Sequence, residues 1–179
     1  MSKTGGIDFN QYIKADAKRY IEHREFIGGG KALIINAICV KNHRLAWQFW
    51  FRLIQSKPNV VIWLFAKFMF RRISTKYGIQ IPASTQIGKG LYIGHGIGIV
   101  IHGKARIGEN CNISHFLTIG SNHDNPATIG NNVYIGPGVS IVENVSIGNN
   151  VRIGAGTVVV RDIPDNSTSV GNPNRIIQK

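Results

Sequence analysis

The run Ile129-Gly130-Asn131-Asn132-Val133-Tyr134-Ile135-Gly136-Pro137-Gly138-Val139-Ser140-Ile141-Val142-Glu143-Asn144-Val145-Ser146-Ile147-Gly148-Asn149-Asn150-Val151-Arg152-Ile153-Gly154-Ala155-Gly156-Thr157-Val158-Val159 decides the fold. Aliphatic residues stand six apart at 129, 135, 141, 147, 153 and 159, and glycine follows four of them. The same spacing runs upstream through Ile101, Ile107, Ile113 and Ile119, and before that through Ile81, Ile87, Ile93 and Ile99. A helix repeats its apolar face every 3.6 residues and a strand every two, so neither alone explains a period of six. A hexapeptide repeat predicts a parallel β-helix, in which each repeat gives one short strand and one turn. Three repeats close a triangular coil, so residues 81–164 amount to fewer than five coils. Asn110, Asn132 and Asn150 suit the turns, because short polar side chains tolerate the left-handed conformation.

The period slips twice. Ile99 to Ile107 is eight residues, two too many, and Ile119 to Ile129 is ten, four too many. Stacked coils have no room for the surplus, which must bulge outward. The second bulge, residues 120–128, is polar and is expected to form one wall of a site.

Upstream the pattern is helical. Asp8 is placed to cap a helix running to about Glu25, Gly28-Gly29-Gly30 breaks it, and helices follow over residues 31–40, 43–55 and 60–76. The organisation expected is therefore a helical segment, 1–77, before a β-helix domain, 78–179. All three Trp and five of the eight Phe fall between residues 45 and 70. Helix-on-helix packing accounts for them most simply. A peripheral membrane contact flanked by Arg52, Lys57, Lys67, Arg71 and Arg72 is the second reading.

Forty-three per cent apolar residues in 179 exclude wholesale disorder. Two cysteines, Cys39 and Cys111, exclude a disulfide scaffold and a CxxC zinc site. The start Met-Ser-Lys-Thr-Gly-Gly lacks the apolar core of a secretory signal, which points to the cytoplasm, or to the inner membrane face if the protein is peripheral. The net charge of +12 is lopsided: residues 1–77 carry 14 Lys/Arg against 4 Asp/Glu, and no carboxylate lies between Glu25 and Glu109. Such a surface attracts anions, phosphorylated cofactors among them; nucleic acid is not expected as a partner.

The repeats, the run His95-Gly96-Ile97-Gly98-Ile99-Val100 and the ending Val170-Gly171-Asn172-Pro173-Asn174-Arg175-Ile176-Ile177 resemble the hexapeptide-repeat acyltransferases, and among them the serine acetyltransferase-like branch. Asn42-His43-Arg44-Leu45 resembles its helical part more weakly. The resemblance implies a mainly β fold with an all-α segment before a left-handed parallel β-helix. It also implies a homotrimer or dimer of trimers, sites between neighbouring prisms, and acetyl-CoA as co-substrate without a metal. It matches His95 to the catalytic base, Gly136, Pro137 and Ala155 to the groups that read the pantetheine arm, and Arg161 and Arg175 to cations that meet the CoA phosphates.

A hydroxyl with a pKa far above 7 needs a base to attack a thioester, and histidine is the natural base at neutral pH. His95 is the first candidate and His123 the second. His115, His123 and Asp124 are candidates for the acceptor pocket. Cys111 sits at an inward position paralleled by Val133 and Val151, which makes it a buried structural thiol rather than a nucleophile. Gly28-Gly29-Gly30-Lys31-Ala32 lacks the spacing of a phosphate-binding loop. The histidine spacing 95, 102, 115, 123 does not reproduce the zinc site of β-helical carbonic anhydrases.

Three positions depart from true serine acetyltransferases: Gly94 stands for the Asp before the base, Gln80 for another Asp, and Asn125-Pro126 for an Arg-His pair. These departures lead to the expectation of a sugar hydroxyl of a surface polysaccharide as acceptor (capsule, O-antigen or exopolysaccharide). Serine O-acetyl transfer is the alternative, and a non-catalytic trimeric scaffold is the second alternative.

Overall fold

A computed structural model describes residues 6–177. Most of the amino-terminal run read as lacking a secretory signal lies outside the described residues. The helices are α1 (Phe9–Glu22), α2 (Gly30–Cys39), α3 (His43–Gln55) and α4 (Val60–Tyr77). Asp8 caps α1 as expected, its carboxylate accepting the Gln11 N–H at 3.1 Å. Asn42 and Asn59 do the same for α3 and α4 through the N–H groups of Leu45 and Ile62. Gly78, in the left-handed conformation at φ 65°, ends α4 and turns the chain into the solenoid.

Fifteen short strands follow in chain order: β1 (Ile79–Gln80), β2 (Gln86–Ile87), β3 (Tyr92–Gly94), β4 (Ile99–Ile101), β5 (Arg106–Ile107), β6 (Asn112–Ser114), β7 (Thr118–Ile119), β8 (Thr128–Ile129), β9 (Tyr134–Ile135), β10 (Ser140–Ile141), β11 (Ser146–Ile147), β12 (Arg152–Ile153), β13 (Val158–Val159), β14 (Thr168–Val170) and β15 (Arg175–Ile177). They form three parallel faces, β1-β4-β7-β10-β13, β2-β5-β8-β11 and β3-β6-β9-β12-β14, with β15 folding back antiparallel on β14. This is the expected left-handed β-helix, of about five coils. It runs from Ile79 to Val170, beyond both ends of residues 81–164, which brings the count to about five coils. The in-phase aliphatics from Ile81 to Val159 are all buried. Asn110, Asn132 and Asn150 take φ of 56–57°. At the same edge side-chain oxygens ladder up the turns: Asn131 Oδ1 accepts from Glu109 N, Asn149 Oδ1 from Asn131 N, and the Asp165 carboxylate from Asn149 N.

The second slip lies where the sequence puts it, between β7 and β8. The first does not. Val100 and Ile101 pair with Thr118 and Ile119. The coil therefore takes eight residues from Ile93 to Ile101, against six from Ile113 to Ile119. Phe116 N–H donates to Ile97 O, Gly138 N–H to His115 O and Gly156 N–H to Pro137 O. Ile97, His115 and Pro137 thus share one turn position, and the two surplus residues are His95 and Gly96. The sequence misplaced them because each coil has two inward positions per side. Ile99 and Ile101 are both buried, and Ile99 stacks on Ile79. Periodicity alone does not say which of the two carries the phase.

The helices lie against this prism through α1, α3 and α4. Trp47, Trp50 and Phe51 are buried and join the same apolar cluster as the solenoid interior. Arg52, expected to flank an exposed aromatic surface, is fully buried instead. Its guanidinium meets Asp16 of α1 at 2.8 Å and donates to the carbonyls of Ile87 and Gly88, both at 2.7 Å. Asp16 also accepts the Leu91 N–H at 2.9 Å. A buried guanidinium is tolerated only because every strong donor has such a partner.

Candidate active site

The turns from face β3-β6-β9-β12-β14 to face β1-β4-β7-β10-β13 stack into one edge of the prism. His95 stands at its top, exposed, at φ 51°. A non-glycine residue in this conformation is strained unless its surroundings impose it, and such positions gather at functional sites. Arg44 of α3 lies beneath Gly96, where a Cβ would come within 3.0 Å of its Cγ. The Arg44 guanidinium pairs with Glu25 at 3.1 Å and reaches the Ile93 carbonyl at 3.4 Å. His43 stacks on Tyr77 with ring centroids 4.0 Å apart. Burial and the neighbouring Arg44 charge push the His43 imidazole below its ordinary pKa.

One coil down, His115 meets His95 edge to face, ring centroids 5.5 Å apart at 86°. The Nδ1 atom of His115 is buried without a hydrogen-bond partner. A buried orphan nitrogen costs free energy unless a ligand or water satisfies it. Gly98, at φ 64°, lies on the Phe116 ring; a Cβ there would fall 2.5 Å from it. Gly136, Pro137 and Ala155 continue the same edge below. Gly136 has no room for a side chain, since a Cβ would stand 2.8 Å from Ala155 N. The result is an edge floored by backbone, with two imidazoles at one end.

His123 and Asp124 do not join this cluster within one chain. They belong to the bulge between β7 and β8, at the opposite border of face β1-β4-β7-β10-β13. There Glu143 gathers the loop: its carboxylate accepts Ser121 Oγ, the N–H groups of Asn122 and His123, and meets His123 Nδ1 at 2.9 Å. Those bonds hold the Glu143 carboxyl down at about 2. Asp124 pairs with Lys104, which holds its carboxyl below the usual range, and His102 Nε2 stands 3.6 Å away. Arg161 follows β13 at this same border, its backbone N–H and carbonyl bonded by the Asn174 side chain. Arg175, next to Asn174, lies on the exposed β15. Cys111 is buried, its thiol pushed up by that burial, and donates to Gly130 O at 3.2 Å.

Gln80 lies on the outer side of β1, in a groove of about 700 Å³ between α4 and face β1-β4-β7-β10-β13. Gly94 has ordinary contact distances around it, 3.8 Å from a virtual Cβ to Ser114 Oγ. Sequence reasoning missed the packing of Arg44 under Gly96. The only trace of Arg44 was the stretch Asn42–Leu45, and nothing in the spacing links it to residue 96.

The family model for bacterial transferase hexapeptide (six repeats) matches residues 126–161. Serine acetyltransferase 1, chloroplastic, of Arabidopsis thaliana is 40% identical over 139 residues, which are 75% of this chain and 42% of that protein. The crystal structure of Neisseria gonorrhoeae serine acetyltransferase in complex with serine is 30% identical, has a TM-score of 0.70, and is matched over 95% of this chain and 69% of its own. Serine acetyltransferase from Brucella abortus gives a TM-score of 0.77 at 25% identity, over 96% of this chain and 69% of its own. The chain thus spans less than half of the curated plant relative. These relatives overturn the expected sugar acceptor of surface polysaccharide synthesis: they are serine acetyltransferases. That expectation rested in part on Gln80, Gly94 and Asn125-Pro126. The corner around His95 is also built by groups from distant elements, Arg44 and His43 of α3, which three local substitutions do not report.

Proposed function

The chain belongs to the hexapeptide-repeat acyltransferase family, and from that premise we propose that it is an acetyl-CoA-dependent O-acetyltransferase whose acceptor is serine. The observation that carries the reading is the edge on which His95, His115, Gly136, Pro137 and Ala155 stack in adjacent coils. A thioester donor laid along this backbone floor would present its acetyl group to the imidazoles at the top. The names of the relatives supply serine.

In this reading His95 is the general base. It removes the proton from the acceptor hydroxyl as the oxygen attacks the acetyl carbonyl. The tetrahedral oxyanion is held by backbone N–H, the C–S bond breaks, and the imidazolium returns the proton to the CoA thiolate. Its exposure and left-handed backbone hold it proud of the coil. His115 lies against it, and its orphan Nδ1 is available to a polar group of a bound ligand. The backbone at Gly136, Pro137 and Ala155 would take the pantetheine arm, and Arg161 and Arg175 the phosphates. Residues 78–179 carry this machinery and residues 1–77 brace it through Arg44. A homotrimer would set the His123–Asp124 loop of one prism beside the His95 edge of its neighbour and complete the acceptor pocket.

The test is thiol release from acetyl-CoA with L-serine. We expect turnover, and we expect His95→Ala to lower it by about 10²–10⁴-fold with melting temperature and CoA binding unchanged. Absence of serine turnover by folded protein refutes the acceptor; substantial activity in His95→Ala refutes the base.

A further inference from the structure

The helical segment carries a surface that the transferase chemistry does not use. On α4 the face opposite the buried Ala66, Met69 and Ile73 presents Val60, Val61, Leu64, Phe65 and Phe68 to solvent, with Val61 72% and Phe68 61% exposed. The spacing 61, 64, 65, 68 is one continuous helical stripe. The next turn of that stripe is Arg71-Arg72, and Lys67 and Lys76 flank it, all exposed. Lys67 Nζ lies 4.2 Å from the centre of the Trp63 ring. Beside it, α2 exposes Ile34, Ile35 and Ile38. Trp50 of α3 ties the two together: its Nε1–H donates to Ala37 O at 3.0 Å, and its ring meets Phe65 edge-on at 5.5 Å. The apolar residues of α2 and α4 thus border one aromatic anchor and form one patch.

A patch of this size needs an occupant. A second copy of this chain would bring Lys67, Arg71, Arg72 and Lys76 against the same cations, and no carboxylate exists between Glu25 and Glu109 to separate them. An anionic bilayer matches both halves of the surface. Its interface takes aliphatic and aromatic side chains, with Trp at headgroup depth, and its lipid phosphates take the cations. No helix among the described residues is long and apolar enough to cross a membrane, so the contact lies on the surface.

We infer that the outer face of α4, with the exposed isoleucines of α2, docks the protein on an anionic lipid bilayer. The inference does not depend on the acceptor or on the base.

The experiment is co-sedimentation of the full chain with vesicles of pure phosphatidylcholine and of phosphatidylcholine with phosphatidylglycerol. Binding is expected to the anionic vesicles at low salt, to weaken as salt rises, and to be lost with Leu64→Ser/Phe68→Ser. Each cation near such a surface contributes about fivefold in partitioning, so Lys67→Gln/Arg72→Gln should bind about thirtyfold more weakly. Both pairs are exposed, and circular dichroism with gel filtration verifies their folding. Three results overturn the inference: no binding to anionic vesicles at low salt, equal binding to neutral vesicles, or a fall in oligomer size in Leu64→Ser/Phe68→Ser, which assigns the patch to a second copy.

Discussion

Arg52→Met tests how the helices are fastened to the β-helix. Methionine keeps much of the buried stem but removes the guanidinium. Asp16 then loses its ion pair at 2.8 Å, and the carbonyls of Ile87 and Gly88 lose donors at 2.7 Å. Both charged side chains are fully buried, so water does not replace the lost partner. Breaking one side of such a pair costs about 3–5 kcal/mol. In a chain of this size each kcal/mol lowers the melting temperature by about 2–4 °C, which gives a drop of about 6–20 °C. Asp16→Asn in the same background removes the stranded charge and keeps an oxygen for the Leu91 N–H, so the double variant should recover part of the loss. Urea unfolding followed by far-ultraviolet circular dichroism measures all three proteins. A loss below about 1 kcal/mol in Arg52→Met, or a double variant less stable than the single, refutes the reasoning.

Gly98→Ala forces an L-residue to φ 64° and presses on the Phe116 ring, and should cost about 1–2 kcal/mol in thermal unfolding. Gly136→Ala places a Cβ against Ala155 N, so it should lower stability by about 1–3 kcal/mol and weaken CoA binding by calorimetry. The Glu143 carboxyl is depressed from 4.5 to about 2, so its hold on the 121–123 loop is complete above 4.5 and is lost as pH falls from there to about 2. Protection of the Asn122 and His123 amides against hydrogen exchange, taken relative to the intrinsic rate at each pH, should fall as pH drops through that window, and Glu143→Gln should abolish this pH dependence.

The fold was legible because a hexapeptide period constrains every residue of a coil at once. A side chain at the wrong phase would point a polar group into a dry prism, so Ile129 to Val159 admit one architecture. The cap of α1 was legible for a local reason: Asp8 bonds an N–H three residues away. His95, the proposed base, was singled out only through its neighbours in sequence, and its place in the coil was not legible. His95 and Gly96 are the surplus residues of the first slip, yet Ile99 and Ile101 both point inward, so only strand register reveals it. The position of Arg52 was misread for a related reason. A cation beside tryptophans in sequence looks exposed until Asp16, 36 residues earlier, and the carbonyls of Ile87 and Gly88 are seen around it. Composition and spacing determined what each segment is, because those depend on contacts within one coil or one helical turn. The tertiary structure alone decided what surrounds the His95–Gly96 turn: His115 from the next coil meets His95 and Arg44 of α3 packs under Gly96, by stacking and docking, which act between residues far apart in the chain.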